Sequence, residues 1–133
     1  MTIEELENTL PNGFHDSYLV SVAVDFISGT CSIYLDVDFD DPEQPALPAP
    51  VFRRMKLHLT GLRLFIFEPP DVRIPFSGGE TVWASGYSTT EKILPNLESY
   101  RKTAPSGTFF YSFFLSYYNS FIHLAATEAE LAQ

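Results

Sequence analysis

Residues 17–39, SYLVSVAVDFISGTCSIYLDVDF, decide the fold. Tyr18, Val20, Val22, Val24 and Phe26 recur at period two, with Ser21, Ala23 and Asp25 between them, so one face of a strand is apolar and the other polar. After Ser28-Gly29 the alternation restarts: Cys31, Ile33, Leu35, Val37 and Phe39 interleave with Ser32, Tyr34, Asp36 and Asp38. The two runs form a hairpin. A one-residue slip would turn a whole apolar set toward water, so even-numbered residues must oppose odd-numbered ones across a loop of two or four residues. The expected pairs are Val24 with Ile33, Val22 with Leu35 and Val20 with Val37.

The same period spreads outward. Met55, Leu57 and Leu59 point in while Arg54, Lys56 and His58 point out. Folding this run back on the second strand sets Asp38 against Arg54, Asp36 against Lys56 and Tyr34 against His58. Thr60-Gly61 reads as a tight turn, with a bulge inside one long bent strand as the alternative. Leu64 to Phe67 is apolar on both faces, which requires cover from another layer or another subunit. Phe109–Leu115 and Phe121–Ala126 form a last hairpin, and Thr81–Ala84 a short strand around Trp83.

Helical signals are few. Thr2 and Glu5 have capping-box spacing, as do Thr127 and Glu130, which predicts a short helix at each terminus. Thr89 or Thr90 caps a short helix through Leu94 that Pro95 interrupts, and Leu97 with Tyr100 begins a second turn. Asp40 to Pro50 carries four prolines and is a stiff connection. The fold class is therefore mainly β: an antiparallel meander forming a strongly curved sheet or two-layer sandwich, with short terminal helices. Its 133 residues make one domain, 1–133.

Charge narrows the partners. Seventeen carboxylates against eight Lys and Arg leave −9, which repels phosphate backbones and anionic headgroups, so nucleic acid and membrane are excluded as first choices. Residues 1–52 hold ten carboxylates and no Lys or Arg. A single cysteine, Cys31, and an acidic opening segment point to the cytoplasm. Cys31 falls on the inward face and packs as an inert thiol.

Common catalytic signatures are missing: there is no Gly-rich phosphate loop, no cysteine pair and no nucleophile elbow. Asp36, Asp38, Asp40 and Asp41 imitate the start of a calcium loop. Position six is then Asp41 instead of glycine and position twelve Leu47 instead of a bidentate carboxylate, so no metal is expected and no cofactor is implied. His15 beside Asp16, and His123 after Asn119, are the candidate binding residues, since a carboxylate can fix a histidine tautomer for base chemistry. Adjacent ligands on an extended segment point apart, and structural roles account for the same residues equally well.

The segment Leu10-Pro11-Asn12-Gly13-Phe14-His15-Asp16-Ser17, with Leu19, Asp25 and Asn119-Ser120-Phe121-Ile122-His123, resembles a family of small, uncharacterised bacterial proteins. Some of that group are similar to immunity proteins of contact-dependent toxin systems. The resemblance covers two short patches and implies a compact, β-rich, non-enzymatic protein. Three functions follow as expectations. The first is an immunity-like module whose acidic face meets a basic protein. The second is a small-ligand-binding or hydrolytic protein using His15, Asp16 and His123. The third is a homodimer joined through Phe65, Phe67 or the final hairpin.

Overall fold

A computed structural model of the chain describes residues 1–44, 51–76, 83–87 and 95–133. Helix α1 spans Ile3–Glu7, and strands β1 to β5 span Ser17–Asp25, Thr30–Asp38, Phe52–Thr60, Leu64–Phe67 and Trp83–Tyr87. Helix α2, Pro95–Thr103, precedes β6, Phe109–Leu115; β7, Ser120–Ala126; and β8, Glu128–Ala132. The eight strands form one antiparallel sheet in the order β4-β7-β6-β5-β1-β2-β3-β8, so the chain is mainly β as its alternation requires. The expected helical turn near residues 88–94 lies outside the described residues, as do 81 and 82 of the strand around Trp83 and the prolines from Pro45 to Pro50. The second turn, at Leu97 and Tyr100, belongs to α2, which begins at Pro95 because a first helical residue has no use for the N–H that proline lacks.

Parity along the first hairpin is as expected, but its register is displaced by two residues. Val22 opposes Ile33 and Val24 opposes Cys31. The connection is the four-residue Phe26–Gly29, fixed by Asp25, whose Oδ1 accepts from the backbone N–H groups of Ile27 (2.9 Å) and Ser28 (3.1 Å). Gly29 closes it at φ +67°, a conformation that side chains resist. A bulge between Leu19 and Ser21 then sets Leu19 opposite Leu35 and turns Val20 to solvent. The β2–β3 pair is displaced likewise: Asp36 meets Arg54, Tyr34 meets Lys56, Ser32 meets His58, and Asp38 meets Phe52. Asp36 receives two bonds from the Arg54 guanidinium, an exposed pair that selects register more than it adds stability.

Thr60-Gly61 is the bulge and not the tight turn. Strands β3 and β4 do not pair with each other; β3 pairs with β8 and β4 with β7. Three residues, Gly61 to Arg63, face two, Ala126 and Thr127, and bonds from Thr127 N–H to Thr60 O (3.2 Å) and Arg63 N–H to Ala125 O (2.7 Å) carry the ladder across. Gly61 sits at φ +62°, and Thr127 fills the space a Cβ would need. Strand β3 thus runs on into β4, and β7 into β8, and these two long strands pair along their length. The hydrogen-bonded circuit β1-β2-β3/β4-β7/β8-β6-β5-β1 therefore closes on itself. The expected C-terminal helical turn is strand β8. Ala129 is buried between exposed Glu128 and Glu130, and this period-two burial against Leu59 outweighs the capping-box spacing of Thr127 and Glu130.

The N-terminal segment crosses the core. Thr2 caps α1 in a full capping box with Glu5, and Ile3, Leu6 and Phe14 are buried among Ile33, Leu35, Leu57 and Phe113. Ala129 N–H bonds to Met1 O (2.7 Å) at the start, and Asn12 Nδ2 donates to Asp40 O (2.7 Å) at the far end. Between them Glu7 accepts from the Tyr111 hydroxyl at 3.0 Å. Burial and the Glu7 carboxylate push the Tyr111 phenol far above its ordinary range.

Helix α2 lies outside β6 and β7. Tyr100 donates to Arg63 O (2.8 Å), the Arg101 guanidinium stands over the Phe110 ring, and Leu97 is buried. The two apolar faces of β4 are thereby covered within one chain: Phe65 and Phe67 pack on the core, and Leu64 shares a small cavity with Leu97.

Candidate functional site

Cross-strand register brings together a group on the outer face of β6 and β7. His123 opposes Ser112 on one side and Ile66 on the other, so all three project away from the core occupied by Ile122, Leu124 and Phe113. Ser112 Oγ lies 2.6 Å from His123 Nδ1, and Glu68 Oε2 lies 3.3 Å from Nε2. The imidazole stacks on Phe121 at 5.5 Å and 13°. Nε2 is buried without a geometrically sound hydrogen bond, so Glu68 acts on it as a close negative charge and not as an aligned acceptor. That charge favours the tautomer with the proton on Nε2, which leaves Nδ1 to accept from the Ser112 hydroxyl. Ser120 Oγ donates to the Glu68 carbonyl at 2.5 Å, holding the end of β4 against the start of β7.

A carboxylate, an imidazole and a serine in this order are the parts with which serine nucleophiles are activated, the carboxylate orienting the imidazole that takes the hydroxyl proton. Access decides against that use. Ser112 is 1% exposed and His123 3%, and the adjoining cavity, lined by Leu64, Leu97 and Phe110 among others, is about 10 Å³, room for one water. The group is a buried polar network that ties β4, β6 and β7 together.

The residues singled out from sequence are distributed differently. His15 Nδ1 pairs with Asp16 Oδ2 at 2.9 Å, with the His15 side chain 73% exposed, and Asp16 adopts φ +54° in the turn that enters β1. Among the described residues no contact joins either to His123. The row Ser17–Ala84–Leu115–Ser120 places His15 and Asp16 three ladder steps from the start of β7, about 14 Å at the usual strand spacing. Asn119 sits in the β6–β7 turn at φ +47°. Phe65 and Phe67 are half-buried against the chain's own core. His58 is an outward residue bonded to Ser32 Oγ (2.9 Å). Cys31 is buried, which pushes its thiol up to about 11.

The aspartates of β2 and the following turn shape backbone. Asp38 Oδ1 accepts from Asp40 N–H, Asp40 Oδ1 from Val51 N–H, and Asp41 Oδ1 from Glu43 N–H. Among the described residues no three His, Cys, Asp or Glu side chains converge as a metal site, and no helix is long and apolar enough to cross a membrane. Glu68 and Ser112 escaped the sequence reading. A lone serine inside an aromatic strand was the available signal, but its partner is fixed only by the register of the final hairpin. No family model, curated protein or solved structure matches the chain.

Proposed function

We propose that the chain is a non-enzymatic, immunity-like binding module of the bacterial cytoplasm whose acidic surface meets a basic protein. The observation that carries this reading is how the cations are used. Arg54 is held by Asp36, Arg73 by Asp71 and Lys102 by Glu98, while Arg53 and Arg101 stand over Phe39 and Phe110. Exposed Asp41, Glu43 and Glu130 form no ion pair among the described residues. These exposed carboxylates display part of the −9 surplus outward. Such a surface accelerates encounter with a positive partner and suppresses anionic ones. The free thiol of Cys31 suits a reducing compartment.

Affinity capture from the native host across a salt series tests the proposal. A basic protein should be retained at low ionic strength and released as salt shortens the screening length, with Asp41→Asn and Glu43→Gln slowing association. Recovery of neutral or acidic partners alone would overturn it.

A further inference from the structure

A second feature is independent of the acidic surface. Between the first turn of α1 and the last turn of α2 lies an open cleft of about 320 Å³, lined by Thr2, Glu4, Arg101, Thr108, Phe109 and Phe110. Its lining includes a carboxylate, Glu4, and a guanidinium, Arg101. Glu4 and Arg101 do not pair with each other, and among the described residues neither has another ion-pair partner. The Arg101 guanidinium stands 5.4 Å from the centre of the Phe110 ring, a contact that fixes its direction while leaving its N–H donors unspent. The buried Thr108 hydroxyl has no hydrogen-bond partner among the described residues. Opposite charges that line one cleft without pairing, with aromatic residues beside them, are complementary to a molecule carrying both charges.

We propose that this cleft binds a small zwitterion, with its carboxylate on Arg101 and its ammonium group on Glu4. The volume suits an amino acid and is small for a folded partner. An anion alone would meet Glu4 across the cleft, and a cation alone would meet Arg101, so each singly charged analogue loses one contact and gains a like-charge neighbour.

Titration of the isotopically labelled full chain, followed by amide chemical shifts, tests this. The probes are glycine, β-alanine and 4-aminobutyrate, with butyrate and butylamine as singly charged controls. At least one zwitterion should give saturable shifts confined to Thr2, Thr108, Phe109, Phe110 and their neighbours. It should bind about tenfold more tightly than either control, the factor of one added charge-assisted contact. The spacing preferred among the three reports the span from Arg101 to Glu4. Arg101→Gln and Glu4→Gln should each lower affinity about tenfold, and Lys102→Gln, outside the cleft, should leave it unchanged. All three positions are exposed, so amide spectra that match the parent elsewhere verify the fold. Absence of saturable shifts with all three zwitterions, equal binding of butyrate or butylamine, or indifference to Arg101→Gln would overturn the proposal.

Discussion

Replacing Gly86 by alanine tests the interior most directly. Gly86 opposes Phe113 on β6, and a Cβ there would overlap the hydroxyl and the ring of Tyr111. Tyr111 cannot retreat freely: it is 1% exposed, edge-packed on Phe14 and Phe113, and its hydroxyl is held by Glu7. Overpacking of this kind costs about 1–3 kcal/mol. Displacing the phenol from a carboxylate loses a charge-assisted bond worth about 1.5–3 kcal/mol. Gly86→Ala should therefore destabilise by roughly 3–5 kcal/mol, a large part of the 5–15 kcal/mol that holds a domain of this size. Urea unfolding followed by circular dichroism measures it. Tyr111→Phe removes the most severe overlap in advance, so the double variant should be at least about 1 kcal/mol more stable than the sum of the single losses predicts. A Gly86→Ala cost below about 1 kcal/mol, or additivity within about 0.5 kcal/mol, would refute the account of Gly86 as the space Tyr111 needs.

Three further outcomes follow from the same structure. The folded-state pKa of Tyr111 lies above its unfolded value, so its contribution is complete below about pH 10 and is lost as pH rises beyond it. The stability gap between the parent and Tyr111→Phe should shrink in urea titrations taken from pH 8 to 11. Cys31, buried and held as the thiol, should react with a thiol reagent at pH 8 only at the rate of unfolding; rapid labelling of the native chain would show that β2 is open there. Ser112→Ala leaves a buried imidazole nitrogen without its partner and should cost about 1–3 kcal/mol by thermal or urea unfolding, whereas a loss under about 0.5 kcal/mol would show that the His123 network holds little.

Alternation located β1, β2 and β3, because each has a face whose burial leaves no freedom of parity, whereas β6 and β7, covered on both faces, were legible only from their uncharged aromatic composition. Alternation did not set register. The slide that puts Val22 and not Val24 against Ile33 comes from a four-residue loop, and the exposure of Val20 comes from a bulge. Both conserve parity or interrupt it locally, so neither disturbs the pattern visible in the chain. At Gly61 the residues permit a turn or a bulge equally, and only the long-range pairing of β4 with β7 chooses. Thr127 and Glu130 show local capping chemistry overruled by the burial of Ala129 against Leu59. The candidate site was less legible than the fold. His123 stood out as a residue, but its neighbours Ser112 and Glu68 are 11 and 55 positions away, and nothing local marks them.

Closure of the strand circuit bears on how this chain behaves when many copies are present. The segment Phe109–Ala126 is rich in aromatic residues, lacks formal charge, and would be a template for intermolecular stacking if left at a margin. In the native state β6 is flanked by β5 and β7, and β7 by β6 and β4, so neither offers its backbone to a stranger. Solubility then depends on the seam at Gly61 and Thr127 staying shut. Heating or substitutions that open this seam should produce aggregates before they produce a dispersed unfolded chain.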